Sequence, residues 1–114
     1  MPSLVGSGLA AGFEFELNVR TTLANDPKAF AASARANAVR DWTDQLDRIT
    51  CPTLFVGGEL DPADPVHNAE IYRRHLKDLE AHILPGVSHL LPLEAPDDFN
   101  RILLAFLARI ETSA

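Results

Sequence analysis

The chain has 114 residues, of which 46% are hydrophobic and 23% are charged, with a formal net charge of -6. A chain of this length forms one domain, and its hydrophobic content is that of an ordinary globular protein. The acidic balance argues against nucleic acid or an anionic membrane as the main partner, and no apolar run is long enough to cross a membrane.

The N-terminal part of the chain is predicted to be mostly helical. Residues 1–8 contain a short apolar pair between small residues, which is compatible with the end of a strand. Residues 13–23 mix apolar and charged side chains without a clean period, and we interpret them as a helix. Asp26 and Pro27 have the pattern of an N-cap and first helical position. They predict an alanine-rich helix up to residue 40 whose narrow apolar face lies over a neighbour without forming a core.

A short helix capped by Asp41 is expected to lead to Cys51 and Pro52. One cysteine excludes an internal disulfide and, with no N-terminal signal segment in the sequence, favours a reducing cytoplasm. Because Cys51 directly precedes a predicted buried strand, we expect a packed structural thiol.

The central stretch reads as a strand, a helix and a second strand. Residues 53–57 form an apolar run typical of a strand buried on both faces, as in a parallel sheet. Turn residues follow, and Asp64 with Pro65 then predicts a helix start. One helical face is predicted to consist of Val66, Ala69, Tyr72, Leu76 and Leu79.

The second strand is predicted at residues 81–84, where Pro85 and Gly86 stop it. Crossovers between parallel strands are right-handed in nearly all cases, so the loops after both strands lie at the same sheet edge. Open α/β sheets bind their ligands at this edge. We therefore expect Asp61, after the first strand, to meet His89, after the second.

The chain ends in a predicted amphipathic helix that begins at Pro96. Its wide apolar stripe is the best core-facing surface in the sequence and consists of Phe99, Ile102, Leu103, Phe106, Leu107 and Ile110. The fold class is thus α/β, with a partial parallel sheet of two or three strands flanked by helices.

Two segments resemble known parts of the α/β-hydrolase fold. Residues 49–61, ITCPTLFVGGELD, are similar to that family's penultimate strand and acid loop. Residues 84–96, LPGVSHLLPLEAP, with the helix after them, resemble its last strand, histidine loop and C-terminal helix. The 28-residue separation of Asp61 and His89 also matches. The resemblance implies that Asp61 is the acid of a catalytic triad and that His89 is its general base.

The same resemblance divides the chain into three parts. Residues 1–8 would be the strand before the lid, residues 9–48 a helical remnant of the lid or cap, and residues 49–114 the unit that carries acid and histidine. The whole would be a single partial domain, the C-terminal portion of the hydrolase.

The family's nucleophile elbow, Gly-x-Ser-x-Gly, does not occur in the sequence. Ser7 is the most tempting serine, but Val5 and Leu9 stand where the tight turn has room only for small residues. Cys51 stands at the wrong end of its strand. Elbow context is also missing around Ser3, Ser33, Ser88 and Ser113. We therefore expect a hydrolase portion without its nucleophile and without the oxyanion loop, inactive by itself.

Several residues near these motifs have simpler interpretations. Asp61 could be a turn former before a proline, and Glu59 and Asp64 are alternative acids in the same loop. Glu94 is interpreted as a helix-start charge favoured by the helix dipole, and Trp42 as a packing residue. No metal-ligand spacing links the other histidines, so we expect no metal or cofactor and interpret as structural or solvated His67, His75 and His82.

Two functions stay open from the sequence. One is hydrolysis of a small ester-like substrate, such as a lactone, completed by a nucleophile outside this chain. The other is a truncated or degenerate hydrolase-like domain that binds a partner or oligomerises. An unpaired strand edge and uncovered apolar surface would in either case favour a homodimer.

Overall fold

The computed structural model describes residues 11–113, with side chains from residue 16 to residue 112. The expected strand end at Leu4 and Val5 and the serine Ser7 lie outside the described residues. In chain order the elements are α1 (Ala11–Leu23), α2 (Pro27–Ala38), a 3₁₀ helix (Thr43–Arg48), β1 (Thr53–Gly58), α3 (Pro65–His75), β2 (Leu79–Leu84), α4 (Leu91–Glu94) and α5 (Pro96–Ser113).

The strand–helix–strand unit is confirmed. β1 and β2 pair in parallel, in a register that runs from Thr53 opposite Leu79 to Gly58 opposite Leu84. Helix α3 makes the crossover and packs against both strands. Because the strands are parallel, the loops that follow them leave from the same edge of the sheet.

Helix α3 begins as predicted, with Pro65 in its first turn and the Asp64 carboxylate accepting a hydrogen bond from the backbone N–H of His67 at 3.2 Å. Asp64 itself has a left-handed backbone, with φ of 54°. The predicted apolar face was partly wrong. Val66 is 50% exposed, and the helix ends at His75 so that Leu79 can open β2.

The end of α3 is decided by the sheet. Leu76 already has extended φ and ψ, of -94° and 125°. The backbone N–H of Thr53 then donates to the carbonyl of Asp78 at 2.9 Å. This bond extends the hydrogen bonding between the two strands to Asp78, the residue before β2. Strand β2 therefore starts at Leu79, two residues before the predicted start.

The core lies between the sheet and the C-terminal helix. Its centre consists of four buried apolar residues, packed against Leu54, Val56, Ala95 and Phe99: Leu84, Val87, Leu91 and Ile102. Helix α5 supplies Ile102 and Phe106, which are 4% and 8% exposed. The predicted amphipathic helix is confirmed, although Leu107 lies at the margin of its stripe, 40% exposed. Among the described residues, no helix has both the length and the apolar character needed to cross a membrane.

Helix α2 contributes little to this core. The predicted cap of α2 is confirmed, because the Asp26 carboxylate accepts from the N–H of Lys28 at 3.0 Å. However, α2 has no buried residue, and Phe30 and Val39 are 55% and 84% exposed. The prediction that this helix lies over a neighbour was therefore wrong for the described part of the chain.

The segment that leads into β1 also differs from expectation. Asp41 accepts hydrogen bonds from the hydroxyl and the N–H of Thr43 at the start of the predicted short helix, and both bonds lower the pKa of Asp41. Cys51 is exposed, so the expected packed thiol was wrong. The residue lies before the strand begins, where the sheet does not cover it. Residues 53–56 are half-buried, because among residues 11–113 β1 has a paired strand on one side alone.

Candidate active site

The acid loop follows β1 directly and is held by its own turn chemistry. The N–H of Asp61 donates to the carbonyl of Gly58 at 3.0 Å, which closes a tight turn at the strand end. The Asp61 carboxylate accepts from the N–H of Ala63 at 2.9 Å, as an aspartate in a turn commonly does. Its side chain is only 11% exposed. The turn-forming and site interpretations of Asp61 are thus both compatible with the structure.

The histidine loop follows β2 and is anchored in the core. Gly86 has φ of 72°, a left-handed conformation that glycine adopts at no steric cost. Val87 and Ser88, which follow, are 8% and 1% exposed. His89 then emerges with a side chain that is 52% exposed. A buried stretch of the loop therefore carries an imidazole ring that solvent can reach.

Backbone contacts fasten the two loops to each other. The N–H groups of Glu59 and Leu60 donate to the carbonyls of Leu84 and Val87, both at 2.9 Å. Gly58 makes this approach possible. A Cβ atom on Gly58 would lie 2.1 Å from the carbonyl oxygen of Ser88, closer than any real contact. The glycine that ends β1 therefore lets the acid loop pack directly against the histidine loop.

Asp61 and His89 meet at this edge, as predicted. Nδ1 of His89 lies 2.9 Å from Oδ2 of Asp61, which is hydrogen-bonding distance. With a carboxylate as acceptor, Nδ1 must be the donor, so the neutral ring carries its proton on Nδ1 and leaves Nε2 as a base. The geometry is confirmed, whereas the catalytic roles of both residues remain predictions.

The electrostatics of the acid agree with an ionised carboxylate. Partial burial opposes ionisation of Asp61, but the hydrogen bonds from Ala63 and His89 and the charge of a protonated His89 outweigh it. The net result is a pKa of Asp61 below its ordinary value. Asp61 can therefore hold the histidine in one tautomer and stabilise its protonated form.

Glu94 has a place in this site that the sequence did not reveal. Its two carboxylate oxygens accept from the backbone N–H groups of Ser88 and Leu90, at 3.1 and 3.0 Å. The residue lies at the last position of α4, two residues before α5 begins. Glu94 lies in the first turn of α4, as its interpretation as a helix-start charge expected, and the structure adds its two bonds to the histidine loop. The missed signal was a glutamate one helical turn beyond the loop, since a capping carboxylate reaches back to N–H groups at that spacing.

The alternative acids occupy other positions. Asp64 caps α3, and Glu59 is exposed in the loop. The remaining histidines are at other sites. His75 pairs with Asp47 at 3.1 Å and His82 with Glu80 at 2.9 Å, and His67 is exposed on α3. Within the described residues, no three potential ligands among His, Cys, Asp and Glu come together to hold a metal ion.

Comparison with known proteins gives matches to several hydrolases, although no family model matches the chain. The chain is 39% identical over 62 residues to the serine hydrolase BPHL of Homo sapiens, covering 54% of the chain and 21% of that protein. It is 30% identical over 91 residues to 3-oxoadipate enol-lactonase 1 of Acinetobacter baylyi, covering 79% and 34%. It is 33% identical over 96 residues to the proline iminopeptidase of Thermoplasma volcanium, covering 82% and 31%.

A structural match agrees with these relatives. The crystal structure of CarC, a serine hydrolase involved in carbazole degradation, superposes with a TM-score of 0.69 at 28% identity. The superposition covers 83% of this chain and 40% of that enzyme. The chain thus spans between about a fifth and two-fifths of the length of the proteins it matches.

Proposed function

The chain forms the C-terminal portion of an α/β-hydrolase fold, and from this premise we propose that it supplies the acid and the general base of a hydrolase. Asp61 is the acid and His89 the base. The proposed reaction is hydrolysis of an ester, a lactone or a related bond in a small molecule. The nucleophile belongs to residues outside the 114 of this sequence, because no Gly-x-Ser-x-Gly turn occurs within them.

The roles follow from the two ends of the imidazole ring. Asp61 accepts a hydrogen bond from the Nδ1–H group of His89, so the neutral ring carries no proton on Nε2. Nε2 then removes the proton from a serine-type nucleophile, or from water, as the nucleophile attacks the carbonyl carbon. The ionised Asp61 stabilises the imidazolium that forms, and the imidazolium afterwards returns the proton to the leaving group.

The single observation that carries the proposal is the 2.9 Å contact between two residues 28 positions apart. Two interloop backbone bonds and the close packing at Gly58 hold both residues in place before any substrate binds. Such preorganisation is what a general base needs, since its effect depends on a fixed position relative to the reacting proton.

The remaining parts of the chain are assigned by the same proposal. Residues 49–114 form the unit that carries the acid and the histidine, and the helices before them are a remnant of the cap. The proposed substrates are small molecules with a bond that a triad hydrolase cleaves, such as an ester or a lactone. The matched proteins include a lactonase and an iminopeptidase.

Hydrolysis of activated esters, such as p-nitrophenyl acetate, tests the proposal. The 114-residue chain alone should hydrolyse them no faster than an exposed histidine does. Joined to a hydrolase segment that carries a Gly-x-Ser-x-Gly turn, it should become active. The substitution His89→Ala should then lower kcat by about 10²–10⁴-fold, the range expected for a general base.

The matched control is His67→Ala, which removes an exposed histidine of α3 and should leave kcat unchanged. A burst of product with a covalent acyl-enzyme on any serine of the isolated chain would refute the assignment of the nucleophile. Equal kcat values for the His67→Ala and His89→Ala variants would refute the assignment of the base.

A second candidate function is a non-catalytic binding or oligomerising module. It is favoured by large apolar side chains exposed outside the site, among them Phe30, Trp42 and Leu104, each more than half exposed. The two functions are distinguished by the activity measurement above, because a binding module stays inactive when a nucleophile is supplied.

A further inference from the structure

We propose that Glu94 is a positioning residue for His89 and that it fixes the direction in which the imidazole leaves the backbone. The inference rests on the proposed function, since it concerns the proposed base. It gives the site a second carboxylate with a role of its own, beside Asp61. Glu94 acts through the loop backbone, and it is therefore distinct from the residues that exchange protons.

The contacts of Glu94 enclose the histidine from both sides along the chain. Oε1 accepts from the N–H of Ser88, the residue before His89, at 3.1 Å. Oε2 accepts from the N–H of Leu90, the residue after it, at 3.0 Å. The N–H of Leu90 adjoins the His89 Cα atom, whereas the N–H of Ser88 lies one peptide unit further back. One carboxylate thus spans the backbone segment from which the Cα–Cβ bond of His89 projects.

A reciprocal bond makes this arrangement more rigid. The backbone N–H of Glu94 donates to the carbonyl of Leu90 at 2.9 Å, while its side chain accepts from the N–H of the same residue. The first of these is the ordinary i→i−4 bond of α4, and the second resembles the glutamate half of a capping box, since the N-cap residue Leu90 makes no side-chain bond. Bonds to a carboxylate are also stronger than bonds between neutral groups.

The His89 ring needs this support because little else restrains it. Its side chain is 52% exposed, so neighbouring atoms cover only about half of it. The contact with Asp61 aligns one ring nitrogen, but a single hydrogen bond leaves rotation about Cα–Cβ dependent on the backbone. Glu94 immobilises that backbone, so Nδ1 of His89 stays within hydrogen-bonding distance of the Asp61 carboxylate.

The alternative is that Glu94 only stabilises the start of α4. That helix has four residues, of which Leu91 is buried. A purely structural role would affect the stability of the turn without altering the orientation of His89. The experiment therefore has to read out the histidine itself, separately from folding.

Nuclear magnetic resonance of the 114-residue chain provides both readings. The variants are Glu94→Gln, which keeps size but loses one of two carboxylate acceptors, and Glu94→Ala, which loses both. Amide exchange at Ser88 and Leu90 should become about tenfold faster when a bond to a charged acceptor is lost. The χ1 couplings of His89 should change from those of one rotamer in the wild type to averaged values, more so for alanine than for glutamine.

The control variant is Glu70→Gln, which neutralises an exposed glutamate of α3. It should leave the couplings of His89 and the exchange of Ser88 and Leu90 unchanged. The amide of Ile102 in the core reports global stability and should keep its protection in Glu94→Gln, so that a change at His89 cannot be due to unfolding.

The outcomes separate this inference from the proposed function. Unchanged His89 couplings in both Glu94 variants would overturn the inference, and so would a loss of protection that is equal throughout the chain in Glu94→Gln. A wild-type His89 without the Nδ1–H tautomer in its ¹⁵N spectrum would count against the proposed function. In that case the rotamer couplings would still decide the role of Glu94.

Discussion

At the scale of single residues, the site depends on one partly buried carboxylate. Asp61 accepts from a backbone N–H and from His89, and its side chain is 11% exposed. Because these bonds favour the ionised form, the pKa of Asp61 is lower in the folded chain than in the unfolded chain. The acid of the site therefore also contributes to folding stability, in a way that depends on pH.

The pH dependence of Asp61→Asn tests this contribution. A group with a lowered folded-state pKa stabilises above its unfolded-state value, 3.8 here, and loses that stabilisation as pH falls through the folded-state pKa. At neutral pH the variant should lose about 1.5–3 kcal/mol of unfolding free energy, the range for hydrogen bonds to a charged group. Urea denaturation between about pH 7 and pH 2.5 should show this difference shrinking below about pH 4.

The control for this measurement is Asp44→Asn, an exposed carboxylate of the 3₁₀ helix. Its stability should follow that of the wild type within about 0.5 kcal/mol across the same range. A constant difference between the wild type and Asp61→Asn from neutral to acidic pH would show that the carboxylate is not preferentially ionised in the folded state.

At the scale of elements, α5 is the helix that packs against the sheet and the start of the histidine loop. Ile102 packs in the same cluster as Leu84 and Val87, which end β2 and begin the histidine loop. Arg109 of the same helix lies 3.6 Å from carboxylate oxygens of Asp78 and Glu80, at the beginning of β2. Helix α5 thus contacts both ends of β2, and its packing determines where the histidine loop starts.

Truncation of side chains on the two faces of α5 should therefore lower the unfolding free energy by unequal amounts. Ile102→Ala removes a side chain that is 4% exposed and should cost about 2–4 kcal/mol of unfolding free energy. Leu104→Ala, on the same helix but 65% exposed, should change it by less than about 0.5 kcal/mol. Chemical denaturation measures both. Equal losses for the two variants would contradict the assignment of the core face.

At the scale of the whole molecule, the described chain leaves apolar surface open. Exposed side chains on the N-terminal helices and before β1 include Leu23, Phe30, Val39, Trp42 and Ile49. Within residues 11–113 the sheet has two strands, so each of them has one edge without a neighbouring strand. Open edges and apolar patches of this kind favour association with another polypeptide.

We expect the purified chain to form a homodimer at micromolar concentration, because one two-fold contact buries both the edge and the apolar surface. Sedimentation velocity over a range of concentrations measures this. Trp42→Ser removes a side chain that is 56% exposed and should weaken the association. Thr112→Ser, at the exposed end of α5, is the control. A monodisperse monomer at about 100 μM, well above the working range of an ordinary interface, would contradict the prediction.

The sequence by itself determined where most helices and strands lie and that the acid and the histidine each follow a strand. Proline next to a capping aspartate predicted where α2 and α3 begin, because proline fixes φ and the carboxylate satisfies free N–H groups. The spacing of apolar residues predicted α5. The parallel topology, which follows from a strand–helix–strand pattern, was sufficient to predict that Asp61 and His89 meet.

Only the tertiary structure decided which residues are exposed or buried. It also decided which side chains form hydrogen bonds to the site loops. The open surfaces of Cys51 and α2 could not be predicted, because local pattern does not show whether a neighbour is present to cover a residue. The end of α3 was set by pairing of the strands, which overrides helix propensity. Glu94 looked like a helix charge in the sequence, and its reach back to both sides of His89 exists only because α4 turns the chain through one short helical turn.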